Sequence, residues 1–226
     1  MPAHAPLLCL RDERPGWGGA PVLGPLTLTL HRGERVVLMG RSGVGKSTLL
    51  ETLRRRLDAG PGGRELAIVA QDHGLVGPLS VFHNVWMGQL DRHGTARNLR
   101  TLLWPSRAER ALAEAALAET GLAGLGRRPV AALSGGQRQR VALSRALARG
   151  GAVVLADEPV SALDPAQGAA LLAALAARFP TAVLALHDVG QAMAFATRIL
   201  GLRDGRIVLD AAPATLTEAQ VMDLYA

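Results

Sequence analysis

The apolar positions of this chain change period along its length, and the changes divide it into segments. Leu26-Thr27-Leu28-Thr29-Leu30 alternates with the period of two required of a half-buried strand, because successive side chains in extended backbone point to opposite faces. Residues 22–30 are therefore read as an antiparallel strand and residues 7–12 as its companion, with Pro15-Gly16-Trp17-Gly18-Gly19 between them as a loop. A different pattern then sets in. Arg35-Val36-Val37-Leu38-Met39, Leu66-Ala67-Ile68-Val69-Ala70, residues 152–156 and residues 181–186 are unbroken apolar runs of strand length, as expected of strands covered on both faces. The first run leads through a glycine-rich turn into helix-compatible Ser47 to Leu53. Strand, loop and helix in this order predict a mostly parallel sheet with helices on both sides.

Between Gln71 and about Leu133 the period changes again. Arg107 to Thr120 repeats alanine and leucine at helical spacing, with Glu109, Arg110, Glu114 and Glu119 interspersed. The reading is one domain over residues 1–226, with a core and β lobe at about 1–71 and 143–226 and an inserted helical lobe at about 72–142. Ile199 to Leu202 and Arg206 to Leu209 flank Asp204-Gly205, a dipeptide that accepts the positive φ angles of a tight hairpin. A short helix ends the chain, and Gly60-Pro61-Gly62-Gly63 is its one low-complexity linker.

Composition narrows the class. A chain of 226 residues with 49% hydrophobic and 19% charged residues can bury a core and is neither disordered nor disulfide-stapled, Cys9 being the sole cysteine and read as a small apolar filler in a strand. No run of about 18 apolar residues is free of charges and turn formers, and Met1 to Pro6 lacks the features of a secretory signal, so a cytoplasmic location is expected. The net charge of +6 comes with only three Trp, three Phe and one Tyr, scattered singly. That pattern describes a solvated, arginine-rich surface rather than a stacking platform for nucleic acid, and no nucleic-acid partner is expected.

Three motifs carry chemistry. Gly40-Arg41-Ser42-Gly43-Val44-Gly45-Lys46-Ser47 fits G-x-x-x-x-G-K-[ST] after a strand and before a helix. In that context backbone N–H groups and the helix amino terminus cradle phosphates, Lys46 reaches the β/γ oxygens, Ser47 ligates Mg²⁺, and Thr48 adds a contact to the α-phosphate. Val153-Val154-Leu155-Ala156-Asp157-Glu158 is an apolar strand ending in two carboxylates. Alone, such a pair is more often a helix cap; with an upstream P-loop, Asp157 reads as a Mg²⁺ ligand, direct or through water, and Glu158 as the group that polarises the attacking water. Leu133-Ser134-Gly135-Gly136-Gln137 opens a helix expected over 137–148 and offers a second anion-binding terminus.

Leu-Ser-Gly-Gly-Gln between a P-loop and an Asp-Glu strand is the signature of the ATP-binding cassette (ABC) ATPases, and the chain resembles that family over essentially its whole length. The resemblance implies the ABC form of the P-loop NTPase fold: a RecA-like, mostly parallel α/β sheet core with an amino-terminal antiparallel β lobe and an inserted helical lobe. It implies ATP and Mg²⁺, and a homodimer in which Ser134, Gly135, Gly136 and Gln137 of one subunit cap the ATP in the P-loop of the other. Gln71 resembles the glutamine that touches Mg²⁺ or the water, Asp164 in Ser161-Ala162-Leu163-Asp164 resembles the loop aspartate at the dimer interface, and His187 resembles the histidine that bonds the γ-phosphate. Trp17 is similar to the aromatic that stacks on adenine. Asp72-His73 departs from the family, which often has a hydrophobic residue there.

Within the family, the segment Ser80 to Gly88 and the runs Leu155 to Pro165 and Leu186 to Val189 look like ATPases of phosphonate or phosphite importers, although Gln71 to Leu133 is shorter than in that group. The resemblance implies integral-membrane permease subunits and a periplasmic solute-binding protein as partners, with the chain held by the permease at the cytoplasmic face of a bacterial inner membrane. An ATPase of an exporter or lipoprotein-release complex and a soluble mechanochemical ABC ATPase are the alternatives. Soluble repair members carry long coiled-coil insertions and translation-associated ones two cassettes; this chain has neither.

Overall fold

A computed structural model of the chain describes residues 6–60 and 65–225; of the linker at Gly60 to Gly63, the residues after Gly60 lie outside them. Strand β1 (Pro6–Glu13) pairs antiparallel with β4 (Leu26–His31), Leu10 opposite Leu28, and the alternation of β4 puts Leu26, Leu28 and Leu30 into the interior. The second strand does not begin at residue 22. Val22 and Leu23 both donate to the Pro15 carbonyl, at 2.8 and 3.0 Å, and Gly24 donates to Gly205, so this backbone is satisfied outside the ladder. The expected loop at 15–19 also holds structure. Gly16–Trp17 (β2) pairs with Ala20–Pro21 (β3) across Gly18-Gly19, whose φ values of 58° and 87° make the tight turn. Cys9 lies in β1 but on its outer, exposed face, its sulfur near the Thr29 hydroxyl, so it is not a core filler.

The main sheet has six strands in the order β10-β9-β5-β8-β7-β6. Strands β5 (Arg35–Met39), β6 (Leu66–Val69), β7 (Val153–Asp157), β8 (Thr181–Ala185) and β9 (Arg198–Arg203) are parallel. Strand β10 (Arg206–Ala211) returns antiparallel through the expected hairpin at Asp204-Gly205, with φ values of 49° and 70°. Alternate residues of β5 feed two cores. Val36 and Leu38 join the leucines of β1 and β4 and those of helix α1 (Lys46–Asp58), while Val37 and Met39 join the opposite side. That second core contains α5 (Gly135–Arg149) and α6 (Pro165–Arg178) and extends without a break into the helices between β6 and β7.

Those helices are α2 (Val81–Trp86) and α4 (Arg107–Glu119), with α3 (Thr95–Leu103) between them in sequence and outside that core. A capping box starts α4, where the Ser106 hydroxyl accepts from Glu109 N–H and the Glu109 carboxylate accepts from Ser106 N–H. Helix α3 buries Thr101 alone. Two short helices, α7 (Val189–Phe195) and α8 (Glu218–Met222), flank the β9–β10 hairpin in sequence. Among the described residues no helix is long and apolar enough to cross a membrane.

Candidate active site

Strand register assembles the site. Leu38 of β5 and Asp157 of β7 both stand beside Ala185 of β8, and Val69 of β6 stands beside Ala156 of β7. Within two residues of these positions come Gly40, Glu158, His187 and Gln71, so four segments distant in sequence emerge level at one edge of the sheet. Ligands of open α/β sheets bind at this edge, outside the carboxyl ends of the strands.

The P-loop backbone turns as the glycine spacing requires. Gly40 and Gly45 have φ values of 135° and 110°, and a Cβ at either would stand 2.3 Å from the Leu202 carbonyl oxygen or the Leu23 side chain. Gly45 also leaves α1 without a side-chain cap and no acidic residue stands in the first turn, so the helix terminus presents N–H groups and positive potential to an anion. Lys46 is 5% exposed, and its Nζ donates to the carbonyls of Gly40 at 2.6 Å and Arg41 at 3.0 Å. Burial lowers its pKa from the ordinary lysine value, against the opposing pull of the Glu158 and Asp157 carboxylates.

Glu158 follows β7 with φ at 50°, left-handed backbone that a residue other than glycine adopts at a cost. Its N–H donates to the Ala185 carbonyl, and its Oε1 lies 2.5 Å from His187 Nε2. Ser47, Gln71 and Asp157 line one cavity of about 520 Å³ together with Trp17. A hydroxyl, an amide and a carboxylate form an oxygen donor set of the kind Mg²⁺ takes, and among the described residues no cluster of three His, Cys, Asp or Glu offers an alternative metal set. The contribution of Mg²⁺, when bound there, is to neutralise charge on the phosphate oxygens.

Trp17 is 57% exposed, and its indole N–H donates to the Thr48 hydroxyl at 3.0 Å, which fixes the ring beside the start of α1. Thr48 keeps its hydroxyl proton for another acceptor.

Helix α5 begins at Gly135, two residues earlier than the sequence pattern indicated. Ser134 and Gln137 form a capping box that draws Gly135 and Gly136 into the first turn. Ser134 and Gly135 are exposed, and Gly135 opens on a separate concavity with Asp72, His73 and Arg138. The structure thus brings Gly40 to Thr48, Gln71, Asp157, Glu158 and His187 together and leaves Ser134 to Gln137 facing elsewhere. Asp164 caps α6 by accepting from Gln167 N–H, so in the single chain this residue has a structural partner.

Sequence reasoning passed over several supporting residues. Arg145 of α5 donates to the carbonyls of His73 and Gly74, at 2.5 and 2.7 Å, and so anchors the loop after Gln71 where Asp72-His73 departs from the usual apolar contact. Its guanidinium is the signal, the one charge in the run Val141 to Ala148. The Tyr225 hydroxyl accepts from Gly40 N–H at 3.4 Å, a contact no local pattern announces.

The model of the ABC transporter family matches residues 23–161. The chain belongs to this family. It is 40% identical to the phosphite import ATP-binding protein PxtA of Stutzerimonas stutzeri, over 92% of this chain and 83% of the relative. It is also 40% identical to the phosphonates import ATP-binding protein PhnC of Nocardia farcinica, over 92% of this chain and 86% of the relative. Among solved structures, the ATP-binding cassette MJ0796, a dimer in a post-hydrolysis state with ADP and Pi, superposes with a TM-score of 0.77 at 26% identity, over 91% of this chain and 98% of that one. The cassette is an ATPase with a mostly parallel α/β core.

Proposed function

We propose that this cassette is the ATP-hydrolysing subunit of a bacterial importer for phosphite or a small phosphonate. One observation carries the chemical part: Lys46, Asp157, Glu158, His187 and Gln71 converge at one sheet edge, while Ser134 to Gln137 lie outside the cavity lined by Ser47, Gln71 and Asp157 and Gly135 opens on a different concavity of the same chain. A site lacking its signature within one chain is completed by a second copy, with two ATP molecules between the subunits. Lys46 and the P-loop amides hold the phosphates, Ser47, Asp157 and Gln71 hold Mg²⁺, and Glu158, paired with His187, orients water against the γ-phosphate.

The helical lobe, about residues 72–142, is the docking unit for the permease. Leu99, Leu102, Leu103 and Trp104 are 59%, 46%, 64% and 72% exposed along and just after α3, an apolar strip on a helix that buries one residue. The chain sits on the cytoplasmic side of the inner membrane through that contact, and a periplasmic binding protein supplies the solute. Similarity to phosphite and phosphonate import ATP-binding proteins supports the substrate class.

Copurification of this chain with its permease and solute-binding protein, followed by reconstitution in liposomes, tests the proposal. ATP hydrolysis should rise with phosphite or an alkylphosphonate. Stimulation by an alkylsulfonate alone would reassign the substrate, and a complex that forms without any binding protein and exports would overturn import.

A further inference from the structure

Gln139 is 2% exposed and lies two residues beyond the signature on α5, yet its side chain is turned wholly toward the catalytic loop. Its Nε2 donates to the Glu158 carbonyl at 2.7 Å and to the Ser161 hydroxyl at 3.2 Å, and its Oε1 accepts from Ala162 N–H at 3.1 Å. Close packing reinforces these bonds: a Cβ on Gly136 would come within 3.2 Å of the Ala162 carbonyl oxygen. One amide therefore fixes three points of the segment from Glu158 to Ala162. The first of them belongs to the residue whose backbone occupies the left-handed region.

We infer that Gln139 is a positioning residue that holds Glu158 in its catalytic orientation and ties that orientation to the signature helix. The inference rests on the ATPase reading above. In a head-to-tail dimer the amino terminus of α5 meets the partner subunit's nucleotide, whereas Glu158 serves the nucleotide of its own subunit. A rigid amide between them makes the closure of one site a condition for correct geometry at the other. Removing it takes from the Glu158 carbonyl its shortest donor, leaving the Ser161 N–H and hydroxyl, leaves the Ala162 N–H without its side-chain acceptor, and frees the loop to relax from its strained backbone.

The test is a cycle of four proteins: wild type, Gln139→Met, Glu158→Gln and the double variant, with kcat from single-turnover hydrolysis, ATP affinity from a fluorescent analogue, and Tm. Methionine keeps the volume and removes all three hydrogen bonds. Gln139→Met should lower kcat about tenfold, a barrier increase of about 1.4 kcal/mol, with ATP affinity within about twofold of wild type. Because Gln139 acts through Glu158, the double variant should be no slower than Glu158→Gln. Gln139→Glu, which keeps the acceptor for Ala162 and loses both donors, should resemble Gln139→Met. Wild-type kcat in Gln139→Met, an equal loss of ATP affinity and kcat, or the same tenfold loss repeated in the Glu158→Gln background would overturn the inference. A wild-type chain that binds ATP and does not hydrolyse it would instead overturn the ATPase reading.

Discussion

His187 Nε2 lies 2.5 Å from Glu158 Oε1, so the loops after β7 and β8 are joined side chain to side chain at the sheet edge. The contact places the imidazole beside the carboxylate that would take up or orient a water. It also gives the carboxylate a fixed direction, which a solvated side chain would lack.

Replacing that carboxylate separates binding from hydrolysis. Glu158→Gln keeps size and hydrogen-bonding capacity, and a base or water-orienting group contributes about 10²- to 10⁴-fold in rate. The variant should bind ATP as wild type does and turn over slower by that factor. On size exclusion with Mg-ATP it should run as a dimer while Lys46→Ala stays monomeric. Near wild-type turnover would move the water-positioning role to Gln71 or His187.

Trp17→Ala should weaken ATP binding about 5- to 150-fold, since base stacking on an aromatic is worth about 1–3 kcal/mol. The half-exposed indole beside Thr48 is free to accept an adenine ring on its face. Titration with a fluorescent nucleotide measures the loss, and Trp17→Phe should recover most of it. An unchanged affinity would assign the ring to the Thr48 contact only.

Ser134→Arg should leave monomeric ATP binding intact and abolish the ATP-dependent dimer. Ser134 is exposed and its oxygen caps its own helix, away from the P-loop cavity. Equilibrium binding and light scattering on the same sample distinguish the outcomes, and lost binding in the monomer would mean that the signature acts within one chain.

Glu109 makes stability depend on acid. Burial would raise its pKa, but the Ser106 N–H and hydroxyl, the Thr101 hydroxyl and the Arg100 charge outweigh this and hold it at about 2, below the ordinary 4.5. A depressed carboxylate contributes stability that is complete above its unfolded pKa and lost as pH falls through the folded one. Tm should therefore fall progressively from about pH 5 down through about pH 2, and Glu109→Gln should flatten that part of the profile. An identical slope in both proteins would remove Glu109 as the source.

The elements legible in the sequence were those whose signal is local. The runs at β5 to β8 were unambiguous because strands buried on both faces need unbroken apolar stretches, and the P-loop was legible because its glycines serve backbone angles. What was missed depends on partners far along the chain. Residues 22–24 have an extended-looking pattern, but their N–H groups are taken by Pro15 and Gly205. Gln139 and Arg145 look like solvated helix positions until α5 is laid against the loops at 158–162 and 73–74. The box of Ser134 and Gln137 is written in the three-residue spacing of serine and glutamine, whereas Gly135 and Gly136, poor helix formers, obscure the first turn.

The left-handed backbone of Glu158 bears on how this cassette can be improved or degraded by selection. Glycine would occupy that φ without penalty, whereas a side chain there costs on the order of 1–2 kcal/mol. A library screened for thermal tolerance alone should enrich Glu158→Gly and similar relaxations of this loop, and with them lose turnover. Thermostabilising this enzyme therefore requires a screen that counts catalysis, because at this position the two goals favour different residues.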